Sequence, residues 1–411
     1  MSTLNVDKVD PSTGTALEIG TSGDTITVPS GATFVVAGTT EITGTNNVQR
    51  PNAQPFIING DMVVAQRSTS VTGKTSSGFF TCDRLQFVAN DAGTWTIIQE
   101  TQTTGDAYDN GLKEAYRMDC TTADASVAAD SILYLKYKME GFNVQEFKKG
   151  TSNAETYTLS FWVKSNVTGT GQVNMRDETN NRMCSATYTT DVTNTWEKKV
   201  LNFAADTSGA SACTNAEALA IEWMVAAGTD YTSGTAPTAW ETIANTDRAA
   251  AVTLALSGST DNDFAITGIQ LEVGTYTSST IPPFQHESYG DNLRRCQRYF
   301  YKLGGTTDTY KRLSVNFCNP SNRNQTLGLH HLPVPMRTAQ TVTIPSASDF
   351  AVGHLGGSNA CSSVTINNDG ALPNNALLSC LAITGSNAST DCVMLEMTYA
   401  STNTMEVSAE L

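Results

Sequence analysis

The feature that most limits the fold of this 411-residue chain is a series of short segments in which apolar and polar residues alternate. Clear examples lie at residues 94–98, 157–163 and 264–273. Alternation with a period of two is typical of a strand that buries one face. Gly, Asn, Asp and Pro lie between the segments and favour turns. The pattern predicts an all-β protein built around a sandwich or jelly roll.

Composition excludes two classes of partner. Charged residues make up 16% of the chain, below the roughly 25% of ordinary soluble domains, and the formal net charge is −15. A protein that binds the phosphate backbone of a nucleic acid needs a basic surface, so we expect no nucleic-acid partner. No apolar stretch approaches the ~18 residues that cross a bilayer, so we expect no membrane insertion.

Residues 1–50 predict an N-terminal β-repeat segment. Each of its strand candidates carries one or two apolar residues, too few to form a core in one chain. We therefore predict that several copies wrap together around a shared core. Its members are Ile26, Val28, Phe34, Val36 and Ile42. The alternative is an N-terminal arm without fixed structure.

Three further segments follow. Residues 51–286 predict the jelly-roll sandwich, and 305–411 predict a C-terminal β-sandwich knob with long polar loops. Residues 287–304 predict a short helical neck, with a helix from Asn292 to about Leu303. Leu293, Cys296 and Phe300 form a narrow apolar stripe on it, which suits packing on symmetry copies or on the next domain.

The nine cysteines include no CxxC pair, so we expect reduced, buried thiols. A bridge from Cys361 to Cys380 or Cys392 stays open. None of the four histidines lies near a serine nucleophile elbow or in an HExxH helix. The carboxylate pairs Asp177–Glu178 and Asp261–Asp263 lie in turn-like sequence. We expect no enzyme, no catalytic residue and no cofactor.

Three stretches, 56–62, 159–165 and 264–274, resemble the opening, central and closing strands of carbohydrate-binding-module jelly rolls. The run from 283 to 300, which leads into a short basic helix, resembles the junction in tail fibre proteins of bacteriophages, marine ones especially. The resemblance implies a homotrimer that docks its N-terminus to phage tail proteins and meets a host surface glycan with its C-terminal knob. Such a protein belongs to the virion tail and is made in the host cytoplasm, in keeping with the absence of a signal-like start.

The resemblance also implies site residues. Asp61 and Glu272 match positions that hold a structural calcium ion in jelly rolls. In the knob, polar loops would offer the glycan contacts; the candidates are Tyr310, Arg323, Asn324 and His330. Trp240, beside a proline, is a candidate sugar platform or a cover for the sandwich end.

Rival functions stay open at this point. The chain could be another virion structural protein, such as a nozzle, adaptor or decoration protein that does not bind a receptor. A glycan depolymerase and a free bacterial carbohydrate-binding module are the other two.

Overall fold

A computed structural model describes residues 54–124, 126–304, 310–319, 322–344, 346–354, 357–367, 376–383, 392–398 and 404–411. All of them belong to one compact unit, Asn47–Leu411. The predicted shared core of the N-terminal segment lies outside the described residues. Within the described part, no helix is both long and apolar enough to cross a membrane.

Two six-stranded antiparallel sheets form a sandwich, and this confirms the predicted fold class. The first sheet has the order β1-β3-β4-β12-β6-β9 and the second β11-β8-β7-β10-β5-β2. The strands are β1 Ser70–Lys74, β2 Leu85–Asn90, β3 Thr94–Thr101, β4 Glu114–Thr122, β5 Ile132–Glu140, β6 Tyr157–Ser165, β7 Gly169–Asp177, β8 Arg182–Thr190, β9 Glu197–Phe203, β10 Glu217–Ala227, β11 Glu241–Thr242 and β12 Asp263–Val273. Short helices α1 Asp106–Asp109 and α2 Thr229–Thr232 lie in the connections.

The core lies between the sheets and follows the alternation read in the sequence. Large aromatic side chains meet there, among them Phe87, Trp95, Phe161 and Trp223. Phe161 packs edge-on against Trp223 at a ring-centroid distance of 6.0 Å, a favourable arrangement for two quadrupoles. The described cysteines Cys82, Cys120, Cys184, Cys296 and Cys361 are buried free thiols, as expected, whereas Cys213 is exposed.

The predicted opening strand at 56–58 is wrong, because the segment forms a turn. Asn59 has a φ of 61°, and its amide group receives a hydrogen bond from Val64 N–H while donating to the carbonyls of Val64 and Asp83. A Cβ on Gly60 would lie 2.2 Å from the carbonyl oxygen of Ile269. The side chain of Asn59 thus makes hydrogen bonds to the backbone that a neighbouring strand would otherwise make.

After the sandwich, helix α3 spans Tyr289–Gln297, and the Ser288 side chain caps it by accepting from the Asp291 N–H. The predicted extension to Leu303 is wrong. Residues Phe300–Gly304 form strand β13, which pairs with the C-terminal strand β21 Thr404–Ser408. Pairing with a segment a hundred residues away overrides the local helical pattern.

The remaining strands form a small sheet and a barrel. The sheet has the order β13-β21-β16, and a closed six-stranded barrel has the order β14-β15-β19-β18-β17-β20. The predicted knob is therefore a barrel rather than a sandwich. Its strands, with β16 of the small sheet, are β14 Tyr310–Asn319, β15 Asn322–His331, β16 Thr341–Thr343, β17 Phe350–His354, β18 Gly357–Asn367, β19 Ala376–Ile383 and β20 Cys392–Thr398.

A buried ionic network joins the chain's C-terminal strand to the sandwich. Arg84, 2% exposed, forms an ion pair with Glu410, and its guanidinium lies 3.4 Å from the ring centroid of Tyr299. Arg67 also reaches Glu410, at 3.1 Å. On the far side, Arg298 donates two 2.8 Å hydrogen bonds to the buried Glu140. The junction is polar, and its charges are paired.

Replacing Glu410 by Gln should destabilise the protein strongly, because Arg84 would stay buried without its counter-charge. Breaking a buried ion pair from one side costs about 3–5 kcal/mol, and urea unfolding followed by fluorescence would measure it. The control is Glu217→Gln, which breaks the part-exposed pair with Lys138 and should cost about 0–1 kcal/mol. Equal losses of unfolding free energy in Glu410→Gln and Glu217→Gln would contradict the expectation that the buried pair contributes more.

Asp83 gives the junction a pH dependence. Burial, opposed by Arg67 and by hydrogen bonds from Gln66, raises its pKa to about 6. The folded protein then holds this proton more tightly than the unfolded chain, so its contribution to stability falls as pH rises from about 4 to about 6. The unfolding free energy of wild type minus that of Asp83→Asn should therefore decrease over this window and level off above it. If the unfolding free energies of wild type and Asp83→Asn changed in parallel with pH, the raised pKa of Asp83 would be refuted.

Candidate functional site

A cleft of about 400 Å³ opens on the outer face of the first sheet. The loop after β3 and the turn before β9 form its walls, and side chains from β3 and β6 form its base. The lining residues are Glu100, Thr101, Gln102, Thr103, Thr104, Gly105, Asp106, Lys164, Asn194, Thr195 and Trp196. The cleft is therefore built by segments distant in sequence.

Strand alternation directs two charged side chains to this face. In β6, Phe161 and Val163 belong to the core, so Lys164 points outward. Lys164 Nζ lies 3.2 Å from Glu100 Oε2, although β4 and β12 run between their strands. Ala115 and Ala265 occupy the intervening strands. Their short side chains let the lysine and the carboxylate meet above the sheet.

The floor of the cleft is held by a hydrogen-bonded chain. The buried Trp196 donates its indole N–H to Gln102 Oε1 at 3.1 Å, and Gln102 Nε2 donates to Glu100 Oε2 at 2.6 Å. Gly105, with a φ of 97°, passes so close to the indole that a Cβ there would lie 3.3 Å from it. Backbone strain and lack of space both favour glycine at this position.

Glu100 is held in its ionised form. Burial alone would raise its pKa, but hydrogen bonds from Gln102 and Lys164, with the charges of Lys164 and Arg117, lower the pKa below its usual range. Arg117 Nη1 lies 3.3 Å from Glu100 Oε1. The site thus presents a fixed carboxylate between two cations at neutral pH.

The chemistry of the lining is that of a hydroxyl-binding site. Threonine hydroxyls both donate and accept, the amides of Gln102 and Asn194 do the same, and the Glu100–Lys164 pair adds a strong acceptor and a strong donor. Most pockets for apolar ligands are lined by hydrophobic side chains, and this one is not. A ligand rich in hydroxyl groups matches it best.

Trp240 does not lie in this cleft, and its predicted role as a sugar platform is wrong. The side chain is 8% exposed, donates its N–H to the carbonyl of Ala204 and is covered by Lys149, whose Nζ lies 4.0 Å from the ring centroid. An indole enclosed in this way cannot stack on a ligand. It closes one end of the sandwich, the alternative left open by the sequence.

The four knob candidates lie in strands rather than in the predicted loops. Tyr310 begins β14, and Arg323, Asn324 and His330 belong to β15. In the barrel register Tyr310 lies opposite Thr398 and His330 opposite Leu377. The structure does not bring them into one described pocket with the cleft residues.

The predicted neck stripe is packed within the single chain. Cys296 is fully buried, and it clusters with Ile58, Val64 and Tyr299, with Leu293 partly buried alongside. Phe300, 2% exposed, lies in β13 beneath the guanidinium of Arg67. Of the two alternatives for this stripe, the one in which it packs on neighbouring parts of its own chain describes the geometry.

The two residues named for calcium lie in separate hydrogen-bonded settings. Asp61 accepts from the Asn292 amide at 3.2 Å and lies 3.7 Å from His286 Nδ1, and Glu272 accepts from Gln270. Each carboxylate thus already has hydrogen-bond donors for partners. Among the described residues, no group of three or more His, Cys, Asp or Glu is arranged to hold a metal.

Three of the four carboxylates considered for hydrolysis form ion pairs. Asp177 lies 3.1 Å from the buried Lys149, Glu178 lies 2.8 Å from Arg176, and Asp263 lies 2.8 Å from Arg117. In each of these three contacts the cation stabilises the ionised carboxylate.

Sequence reasoning missed the cleft. The usable signal was the alternation of residues in β6, which places Lys164 on the face away from the core residues Phe161 and Val163. Alternation gives the face on which a residue lies but not the order of the strands, so it could not predict that Lys164 lies near Glu100.

Comparisons with known proteins add little at the sequence level. No family model matches this chain, and no curated protein matches it.

Similar solved structures include a phage tailspike domain and carbohydrate-binding modules. The enzymatically active domain of bacteriophage CBA120 tailspike protein 4 is 11% identical, with a TM-score of 0.27, over 53% of this chain and 21% of that one. A family 11 carbohydrate-binding module of a Clostridium thermocellum cellulase is 11% identical (TM-score 0.26; 51% and 98% covered). TmCBM61, in complex with β-1,4-galactotriose, is 8% identical (TM-score 0.24; 54% and 99% covered). This chain spans about a fifth of the tailspike chain.

Proposed function

We propose that this protein is a non-enzymatic, glycan-binding tail fibre protein of a bacteriophage that attaches the particle to a host cell surface. The observation that carries the proposal is the polar cleft on the first sheet, with its hydroxyl, amide and Glu100–Lys164 lining. A jelly-roll sandwich with such a cleft suits a sugar, whose hydroxyl groups are donors and acceptors at once.

The cleft favours weak, reversible binding. Its tryptophan is buried and already hydrogen-bonded to Gln102, so a sugar would be held by hydrogen bonds without an exposed aromatic platform. Hydrogen bonds exchanged with water contribute little net free energy, roughly 0.5–1.5 kcal/mol each. Adhesion then depends on several copies acting together, since linked weak sites gain avidity from their effective concentration.

The state of Glu100 supports binding without hydrolysis as part of the proposal. A glycosidase needs one carboxylic acid that carries a proton near neutral pH, whereas hydrogen bonds and neighbouring cations keep the pKa of Glu100 low. The cleft therefore lacks a proton donor at this carboxylate. We assign it a role in hydrogen bonding and no catalytic one.

The fibre part of the proposal concerns assembly. A homotrimer with its N-terminal segment on the phage tail and its C-terminal barrel toward the cell would present three clefts together. A nozzle, adaptor or decoration protein is the rival, and it differs by failing to bind host cells as an isolated protein.

Lys164→Ala should weaken glycan binding, because the ligand loses a charged donor and Glu100 loses its partner. Charge-assisted hydrogen bonds contribute about 1.5–3 kcal/mol, so the dissociation constant should rise about tenfold or more. An array of immobilised neutral oligosaccharides would first identify a bound sugar, and titration calorimetry would then compare the variants.

Lys138→Ala is the matched control for that experiment. Lys138 and Glu217 form a pair of similar exposure, 20% and 22%, on the second sheet, against 21% and 25% for Lys164 and Glu100. The affinity of the Lys138→Ala protein for the sugar should equal that of wild type. Equal affinities for all three proteins, or binding to no oligosaccharide, would remove the cleft from the proposed function.

Multi-angle light scattering of the full-length protein should give three times the mass of the 43.8 kDa chain. If residues 1–50 hold the copies together, their deletion should reduce the mass to that of one chain. A trimer that survives the deletion would place the contacts in the sandwich or barrel. A full-length monomer would contradict the trimeric fibre.

A further inference from the structure

A lysine and two aspartates are enclosed together at one end of the sandwich. Lys149 lies in the connection between β5 and β6, Asp177 ends β7, and Asp206 follows β9. Lys149 Nζ lies 2.9 Å from Asp206 Oδ2 and 3.1 Å from Asp177 Oδ2, and none of the three side chains is more than 1% exposed. Trp240 covers the ammonium group, with its ring centroid 4.0 Å from Nζ. A primary amine and a carboxyl group are thus held in contact below the surface.

Backbone contacts hold the lysine against Asp206. The N–H of Gly150 donates to the backbone carbonyl of Asp206 at 2.8 Å, so the residue after Lys149 is bound to the aspartate itself. Gly150 has a φ of 77°, and a Cβ on it would lie 2.4 Å from the Cα of Ala210. A Cβ on Gly209 would lie 2.4 Å from Asp206 Oδ2. The two glycines therefore let the two segments approach closely enough for the side chains to meet.

The second oxygen of Asp206, Oδ1, faces three N–H donors. Arg182 Nε donates to it at 2.9 Å, and the backbone N–H groups of Ser208 and Gly209 each donate at 3.1 Å. Donors placed in this way stabilise the negative charge that develops on a carboxyl oxygen when a nucleophile adds to its carbon. The surroundings of Oδ1 therefore suit Asp206 to accept a nucleophile.

Asp177 has different partners. Besides Lys149, it accepts hydrogen bonds from the backbone N–H and the side-chain amide of Asn180, both of which are neutral donors. No arginine is among these partners. Asp177 is therefore the better proton acceptor of the two carboxylates.

The identity of the cation matters, because a lysine can lose a proton and act as a nucleophile whereas an arginine stays charged. Among the residues that the structure describes, the other buried cations are Arg84, Arg176 and Arg248. Each of them pairs with a glutamate, and its guanidinium group does not condense with that partner. The cluster at Lys149 differs from these ion pairs because its cation can react.

We propose that the folded chain joins Lys149 to Asp206 through an amide bond, with Asp177 as the proton carrier. One proton of the ammonium group moves to Asp206 Oδ2 along the 2.9 Å hydrogen bond, and the amine that forms adds to Asp206 Cγ. The charge that develops on Oδ1 is held by its three N–H donors. Asp177 takes a second proton from the nitrogen and gives it to Oδ2. The Cγ–Oδ2 bond then breaks, one water molecule leaves, and the Nζ–Cγ amide remains, so the reaction consumes no oxidant or cofactor.

Two effects set the rate of this reaction. Burial alone would raise the pKa of Asp206, but Lys149 and the N–H groups of Ser208 and Gly209 lower it. The ion pair is then the resting state, and we expect the amide to form slowly after folding. Contact between the two groups favours the reaction, because reacting groups that are held in place reach effective concentrations of about 10⁵–10⁸ M.

The bond would secure one edge of the sandwich. β9 is the last strand of the first sheet, and Lys149 and Asp206 are 57 positions apart. The link would therefore close a loop that contains β6 to β9. Glycan binding at Lys164 and trimer formation are measured separately, so the proposed function and this inference can fail independently.

Mass spectrometry of the denatured full-length protein tests the link directly. The mass should be lower than that of the sequence by one water molecule, once loss of the first methionine is allowed for. A tryptic digest should contain the peptides of Lys149 and Asp206 joined together, without cleavage after Lys149. Lys149→Arg keeps the charge but removes the amine, so it should show neither result. Lys148→Arg, at the neighbouring lysine whose side chain is 52% exposed, is the matched control and should keep the reduced mass.

Asp177→Asn tests the proton carrier. A general base contributes about 10²–10⁴-fold to a rate, so this variant should form the amide about a hundredfold more slowly or less. The linked fraction would be followed by mass spectrometry in samples taken at intervals after synthesis. Formation of the amide at the wild-type rate would show that Asp177 does not carry the proton.

Three outcomes would overturn the link itself. The aged wild-type protein could keep the full mass of its sequence, which would show that the cluster is an ion pair only. The lost water could map to residues other than Lys149 and Asp206. Lys149→Arg, with unchanged circular dichroism, could still lack one water molecule. The wild-type mass and the joined peptides decide the question even if Lys149→Arg does not fold.

Discussion

The arrangement of this protein depends on neutralising charge inside the junction between its sandwich and its C-terminal part. Arg84 lies below the surface, where a guanidinium without a partner would be very unfavourable. Its counter-ion, Glu410, comes from the second-last residue of the chain. The fold is therefore not complete until the last strand has returned through the knob and docked beside β13. Sandwich and knob are linked by electrostatics as well as by chain connectivity.

The same rule governs other buried charges. Lys149 lies between Asp177 and Asp206, with all three side chains almost inaccessible, and the buried Glu222 pairs with Arg176 and Arg248. Such clusters fix a unique arrangement because a shift of one member exposes the others to an unpaired state. The Glu100–Lys164 pair differs in its partial exposure. A partly solvated pair can exchange partners with a ligand more readily than a dry cluster can, and the Glu100–Lys164 pair combines that exposure with a place in a cleft.

The sequence predicted features whose causes are local. Alternation identified β3, β6 and β12, because a strand that buries one face carries apolar residues at every second position. It failed at residues 56–58, where the Asn59 side chain makes the hydrogen bonds, and at Phe300, where pairing with β21 ends the helix. It also failed for the cleft, since Glu100 and Lys164 are 64 positions apart and lie on strands that two other strands separate. Each failure involves a partner that no local pattern encodes.

These features together relate stiffness to adhesion. If the cleft binds a sugar as proposed, through solvent-exchanged hydrogen bonds, one site is too weak to hold a cell, and avidity from several sites depends on their spacing. A flexible link would spread the sites over a large volume and lower their effective concentration. The bidentate Arg298–Glu140 pair and the Arg84–Glu410 pair close the junction from two sides. A shift of the C-terminal part relative to the sandwich would have to separate these buried pairs, so the junction opposes movement of the barrel relative to the sandwich that carries the cleft.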